Sequence, residues 1–554
     1  MSTSDLEKDL EKKLDKKLEN YPPLNTLFYL EEKEFGNTRA YFLNFKRKEF
    51  DSLEEVVEVV KRRDNRLYEQ SYFVPLKNKG EKNLEFVLKE EYRQEFNEEK
   101  INEDIENRKR RIKGGFAFYE SSLGLTNILK LFYGNENYML VKLGIDPTKD
   151  LHLGHLSVLL KARVLQEMGA PVIIILGDYT ATVGDPSGGL KREDKPILEK
   201  AREISIDYVR KITNILNPEK TFFVYNSNFH LPDNRVYDLV KVAENFSISK
   251  ILEKPIFSGG NFPLSQLLYP LVQALDSVLT GTLIELGGTD QRENLLLTRE
   301  LQRAYNLEDE ALIYETLIIG KDGNKMSKFL NNYISLNSPK EIYSGILSFP
   351  DFIETDILKT EIDELKGTKK TSKKLVFFPE YINLCIRKED CDKNKSPILN
   401  DYSRNSEESK HFSEKMLKIF NPLELKIKAA EYICRLLFGE QGAKEGYDFY
   451  LKNIKKQGIP EEAIDVKISK LWNKKLADIL SECTGLSKSE IRRMSEQNGI
   501  KILKDEYGVG KTPLEPNYLN QNIEDFFKNI EQYKINKEYI MLFVGKKLFI
   551  RISE

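Results

Sequence analysis

Histidine and cysteine are both scarce in these 554 residues, with four of each. Four cysteines in so long a chain make no disulfide framework. Cys385 and Cys391 are near neighbours, but no second close Cys/His pair completes a zinc site, so ordinary reduced thiols are expected. An apolar run of about 18 residues is missing too, which predicts no membrane-spanning helix. Charge of one sign is also lacking: 86 basic residues against 88 acidic ones leave a net charge of -2. Overall charge therefore says nothing about nucleic acid, and any RNA surface must be a local patch. The opening MSTSDLEKDLEKKLDKKLEN has no apolar core for a signal peptide and is too acidic for a transit peptide, so the expected address is the cytoplasm.

The length predicts several domains. Residues 1 to 115 form an accessory region. Its charged opening suits a solvated helix ended by Pro22-Pro23, and aromatic runs such as LFYLEE, RAYFLNF and SYFVPL suit strands of a small α/β module. NEEKINEDIENRKRRIKGG then predicts a helix closed at Gly114-Gly115. From about 116 the texture changes. The apolar runs YMLVKLGI and PVIIILGD flank the helix-like LSVLLKARVLQEMG, which is a βαβ unit and implies a parallel sheet. TFFVYN and ALIYETLIIG are further strand candidates. Residues 336 to 465 are mostly helical in pattern, with a polar, Lys-rich insertion at about 352–412. In residues 466–504 nine lysines and arginines stand against four acids, a patch suited to a phosphate backbone. MLFVGKKLFIRI near the end predicts a strand pair.

Two of the four histidines fall in one tetrapeptide, His152-Leu153-Gly154-His155, after a strand and at the start of the next helix. Ligands of open parallel sheets bind at the carboxyl ends of strands, and a helix N-terminus there favours phosphate. Histidines at i and i+3 share one helix face, so both could donate to one phosphate; they could equally be two satisfied residues near a cap. Tyr269, Gln273 and Asp276 stand at i, i+4 and i+7, a polar stripe between apolar flanks. The phosphate-loop-like GVGKT at 508–512 is a false lead, since GxxxxGK needs glycine where Asp505 stands.

Together these segments resemble the class I aminoacyl-tRNA synthetases, in the form used by tyrosyl enzymes. GIDPTKDLHLGH resembles the first class signature, and Gly184-Asp185-Pro186-Ser187-Gly188 continues the likeness. Lys325-Met326-Ser327-Lys328-Phe329 resembles the second, with Phe329 where the family has serine, a departure expected to alter loop dynamics or ATP affinity. The resemblance spans about residues 120–350 and 415–554. It implies a Rossmann-like parallel-sheet catalytic α/β domain over 116–335 with a dimerising insert, broadly 190–285. A helical anticodon-binding domain over 336–465 and a small α+β S4-like RNA-binding domain over 466–554 would follow.

The implied reaction activates L-tyrosine with ATP to tyrosyl adenylate, transfers tyrosine to the 3' end of tRNA(Tyr), and releases AMP and diphosphate. ATP would arrive with Mg2+, and the partner would be a second copy of the chain. By resemblance His152, His155, Lys325 and Lys328 are catalytic. Asp146, Thr148, Gly154, Gly288, Asp290, Met326 and Ser327 bind ATP. Gly144, Asp185, Tyr269, Gln273, Asp276 and Gln291 bind tyrosine, with Asp276 accepting from the phenol. Lys488, Arg492 and Arg493 would meet RNA. Many tyrosyl enzymes carry a second phenol-binding tyrosine where this chain has Lys142, which leaves the partner of Asp276 open. The rival readings are a tryptophanyl enzyme, a non-catalytic RNA-binding relative, and a small-molecule nucleotidylyltransferase.

Overall fold

The computed structural model describes residues 13–19, 21, 24–46, 49–50, 52–76, 85–93, 96–113, 124–185, 195–230, 235–252, 263–315, 317–327, 330–355, 374–378, 421–451, 464–471, 473–503, 511–529, 539–545 and 548–553. The Cys385/Cys391 pair, Pro186 to Gly188, Lys328, Phe329 and most of the 352–412 insertion lie outside them. Two compact units divide the chain, residues 1–443 and 444–554.

In the first unit the strands are β1 (Phe28–Phe35), β2 (Thr38–Phe45), β3 (Phe73–Leu76), β4 (Glu85–Leu88), β5 (Val141–Ile145), β6 (Val172–Leu176), β7 (Thr221–Tyr225), β8 (Ile284–Gly288) and β9 (Ala311–Glu315), with the hairpin β10 (Phe352–Thr355) and β11 (Lys374–Phe377) after them. Seven form one sheet in the order β1-β2-β7-β6-β5-β8-β9. From β2 to β9 every pairing is parallel; only β1 and β2 pair antiparallel. The four central strands are nearly all Val, Ile, Leu, Phe and Gly and are buried almost throughout, as strands covered on both faces must be.

The aromatic runs of residues 28–45 make no separate sheet. They extend the parallel one, through Tyr41 opposite Phe222 and Phe42 opposite Phe223. Helices α1 (Leu53–Gln70), α2 (Glu98–Lys113), α3 (Leu153–Glu167), α4 (Asp178–Val183), α5 (Leu198–Ile215), α6 (Leu264–Thr280) and α7 (Arg292–Ala304) complete the parts used below. Helix α1 joins the same core: Val56, Val57 and Val60 pack with Leu271, Ala274 and Val278 of α6.

The second unit carries a five-stranded sheet in the order β12-β16-β15-β13-β14: β12 (Ile464–Lys467), β13 (Ile500–Leu503), β14 (Lys511–Pro513), β15 (Tyr539–Val544) and β16 (Leu548–Ser553). MLFVGKKLFIRI is the antiparallel pair β15–β16. Helices α8 (Leu476–Thr484) and α9 (Lys488–Glu496) pack on this sheet through Leu476, Ile479, Leu480 and Ile491. Ser487 and Glu490 start α9 with a reciprocal capping box.

Candidate active site

The carboxyl ends of β5, β6 and β8 open into one cavity of about 550 Å³. His152, His155 and Lys325 line it, as do Asp146, Thr148, Gly154, Gly288, Asp290, Met326 and Ser327. So do Gly144, Asp185, Tyr269, Gln273, Asp276 and Gln291. Segments up to 183 residues apart in sequence are thus gathered around one space, while Lys488, Arg492 and Arg493 sit elsewhere, on α9 of the second unit.

His152 is the N-cap of α3. Its Nδ1 accepts from the Gly154 N–H at 3.1 Å, and His155 Nδ1 accepts from the His152 N–H at 3.2 Å. A neutral imidazole has one donor and one acceptor nitrogen, so both rings carry the proton on Nε2. The capping and donating possibilities are therefore compatible, each using a different nitrogen. A Cβ on Gly154 would lie 2.9 Å from the His152 ring, so glycine there is what lets that ring fold back onto the helix end. The segment is held from the other side by a bridge between His152 and Ser335, with Leu153 N–H donating to Ile334 O at 3.2 Å.

Lys325 ends a tight turn. Gly320 N–H donates to Asn324 O at 2.7 Å, and Met326 N–H to Ile318 O at 2.7 Å. Buried Asn332 stitches the loop, accepting from Ser327 N–H at 2.7 Å and donating to Asp322 Oδ1 at 2.7 Å and Lys325 O at 3.1 Å. The Lys325 ammonium pairs with Asp290. Burial alone would lower its pKa, but the Asp290 carboxylate more than offsets this and raises it.

Across the cavity the stripe on α6 meets a chain of polar groups. Tyr269 donates to Asp146 Oδ2 at 3.1 Å, and Thr180 to Asp146 Oδ1 at 2.6 Å. Asn226 Nδ2 donates to Thr180 Oγ1 at 3.1 Å and to Asp276 Oδ2 at 3.3 Å. Burial, reinforced by the charges of Asp185 and Asp276, pushes Asp146 up to about 7, against the lowering effect of its two hydrogen bonds. Gln291 Nε2 donates to Asp185 Oδ2 at 2.8 Å.

Beneath the cavity, Lys142 and Glu285 form a wholly buried pair at 2.8 Å. Burial pulls the Lys142 pKa down, but Glu285, Glu310 and Asp276 raise it beyond its ordinary value, so it stays charged. Burial and the Glu285 carboxylate beside it raise the Glu310 pKa well above the ordinary carboxylate range, against the lowering effect of Lys142. Glu285 also accepts from Gln273 Nε2 at 3.2 Å, which fixes the amide orientation. The side-chain Oε1 of Gln273, a residue of the cavity wall, is buried and has no hydrogen-bond partner among the described residues, whereas its backbone oxygen accepts from Lys142 Nζ at 3.2 Å.

Thr180, Asn226, Glu285, Glu310 and Asn332 were not singled out by the sequence. Asn226 had one available signal, since it directly follows a parallel strand, β7, at the end where ligands bind. With carboxyl groups, an unsatisfied amide oxygen, two imidazole donors and a lysine along its walls, the cavity has groups that can hold an ammonium and groups that can hold phosphates.

Residues 135–374 match the family model described as tRNA synthetases class I (W and Y). A tyrosine–tRNA ligase of Thermotoga maritima is 34% identical over 389 residues, 68% of this chain and 86% of that protein. One of Aquifex aeolicus is 31% identical over 423 residues, 74% of this chain and 91% of that protein. A crystal structure of tyrosyl-tRNA synthetase complexed with L-tyrosine from Archaeoglobus fulgidus aligns with a TM-score of 0.45 at 23% identity, covering 62% of this chain and 99% of that one.

Proposed function

The chain belongs to the tyrosine–tRNA ligases, class I aminoacyl-tRNA synthetases, and on that premise we propose how its own residues carry the reaction. It activates L-tyrosine with ATP to tyrosyl adenylate and passes the tyrosyl group to the 3' end of tRNA(Tyr), releasing AMP and diphosphate. The tyrosine carboxylate attacks the α-phosphate, so no protein nucleophile is required. Catalysis is positioning plus stabilisation of moving phosphate charge.

His152 and His155 donate from Nε2 to the α-phosphate side. Lys325, joined by Lys328, receives the leaving diphosphate, and Mg2+ enters with ATP as its counterion. Asp146, Thr148, Gly154, Gly288, Asp290, Met326 and Ser327 seat the nucleotide. Tyrosine lies with its ring over Gly144, where an added Cβ would meet nothing within 4 Å. Its α-ammonium sits among Asp185, Tyr269, Gln273 and Gln291. Its hydroxyl donates to Asp276. The observation that carries this reading is the side-chain Oε1 of Gln273, a buried acceptor without a partner among the described residues, on a residue of the cavity wall. An unsatisfied buried acceptor is costly unless a ligand donor meets it, and an α-ammonium is such a donor.

Lys488, Arg492 and Arg493, exposed on α9 of a small α+β unit, suit a phosphate backbone and are assigned to tRNA. Val240, Ile248, Leu252 and Leu264 are large, apolar and exposed within the 190–285 insert, which supports the insert as a homodimer contact. We place the enzyme in the cytoplasm, with its substrate tRNA.

ATP–diphosphate exchange driven separately by tyrosine, phenylalanine and tryptophan tests the assignment. Exchange with tyrosine alone is expected. Exchange with tryptophan would move the amino acid to the sister enzyme, and no exchange in folded protein would favour the RNA-binding reading.

The raised pKa of Asp146 adds a pH prediction. Below about 7 the empty site holds a proton there. An incoming ammonium favours the carboxylate and expels that proton, so tyrosine affinity rises with pH, by up to about tenfold per unit, and levels off above 7. Binding calorimetry from pH 6 to 8 reads this slope, and Asp146→Asn should flatten it. A slope retained in that variant would assign the proton elsewhere. The same shift makes the empty fold lose stability as pH rises from the ordinary aspartate range towards 7, because the native state binds the extra proton.

A further inference from the structure

We propose that His230 is a specificity-determining positioning residue, which holds the Asp276 carboxylate for the substrate phenol from outside the cavity. The proposal rests on the reading of Asp276 as the phenol acceptor. His230 Nε2 lies 2.7 Å from Asp276 Oδ1, and both side chains are almost wholly buried. A carboxylate accepting a hydrogen bond requires the proton on Nε2, so the imidazole donates. Asn226 donates to the other oxygen, Oδ2, at 3.3 Å. The amide of Asn226 cannot turn over, because its Oδ1 accepts from the Tyr179 N–H at 3.1 Å while its Nδ2 faces Thr180 and Asp276. Each oxygen of Asp276 is thus pinned by one donor. A carboxylate has about four acceptor sites, so each oxygen keeps capacity for a further donor.

Asp276 and Asn226 line the cavity, whereas His230 does not, so His230 works through Asp276 and touches no substrate. Its ring is fixed in turn. Tyr179 lies against it at 5.6 Å between centroids, and Phe229 meets it edge-on at 5.9 Å. Phe28 and Phe45 of the N-terminal strands pack edgewise on Phe229, both at 5.9 Å. The position of the phenol acceptor therefore depends on an imidazole whose seat is built partly by residues 28–45.

This gives Asp276 the second support that Lys142 does not supply from the cavity wall. A fixed carboxylate discriminates because phenylalanine leaves its remaining acceptor site toward the cavity desolvated and without a donor, while a carboxylate free to turn finds water or another donor there.

Tyrosine- and phenylalanine-dependent ATP–diphosphate exchange, with melting temperature, tests the role in His230→Leu and His230→Gln. In the leucine variant the KM for tyrosine should rise about tenfold, the size of one lost charge-assisted hydrogen bond. The preference for tyrosine over phenylalanine should fall by a similar factor, while kcat and the KM for ATP stay within about twofold of the parent. Glutamine keeps an N–H donor and should restore most of the loss. An unchanged tyrosine KM and preference in folded His230→Leu overturns the proposal. So does equal damage in both variants with the ATP KM and melting temperature moving together, which would be packing alone. Asp276→Asn separates this from the underlying reading. If that variant keeps its tyrosine KM and its preference, Asp276 is not the phenol acceptor. If it loses them and His230→Leu does not, only the role of His230 falls.

Discussion

Lys325→Ala should cut tyrosine-dependent ATP–diphosphate exchange by roughly a hundred- to a thousandfold in kcat, the range for removing one charged stabiliser of a transition state. The KM for tyrosine should move by less than twofold. The turn from Gly320 to Lys325 and the bonds from Asn332 anchor the backbone at Lys325, so truncation past Cβ leaves the loop's own framework in place. What is lost is an ammonium on a flexible stem. In the empty site it pairs with Asp290, and its raised pKa keeps it protonated. On the proposed roles, in which Asp290 seats the nucleotide and Lys325 receives the diphosphate, ATP would part the pair and give each a new partner. The charge then acts where negative charge accumulates on the departing diphosphate. Tyrosine, in the proposed pose at Asp276, would not sense the exchange. A parallel rise in the tyrosine KM would mean that the loop supports the whole pocket, and the leaving-group role would fail.

What was readable in advance follows a simple physical division. His152 and His155, Tyr269 with Gln273 and Asp276, and the Lys325 turn are each encoded within one helix face or one turn. Spacing alone therefore brings the members of each group together. Residues that act by meeting partners from distant strands carry no local mark. Asn332 is unmarked for another reason: its partners are all within ten residues, but one asparagine among many carries no pattern that shows it closing the Lys325 loop. Glu285 sits in β8, and only the pairing of β5 with β8 sets it against Lys142. His230 had one faint signal in the scarcity of histidine, but its partner lies 46 residues away on another element. Residues 28–45 were recognisable as strands by their aromatic content. Nothing local announced that β2 would add to β7, about 180 residues onward, because strand partners are chosen by tertiary packing.

That added edge leads to the second large effect. Phe28→Ala should lower the stability of the first unit by about 3–5 kcal/mol, the range for deleting a large buried aromatic side chain from a core. Phe28 is fully buried and meets Phe45 at 5.6 Å and Phe229 at 5.9 Å, while Tyr29, the next residue, points outward and is 49% exposed. Alternation along one strand thus supplies the control: Tyr29→Ala should cost well under 1 kcal/mol, since surface changes rarely exceed that. Denaturant unfolding followed by a probe in the first unit reads the difference. Residues 28–45 lie outside the 135–374 span matched by the family model, yet they pack into the same core as Phe222, Val224 and Leu275. If Phe28→Ala costs no more than Tyr29→Ala, the N-terminal strands are an appendage that the catalytic unit does not need. If it costs the predicted amount and also raises the KM for tyrosine, although Phe28 does not line the cavity, the strands hold the wall that carries Asn226 and His230.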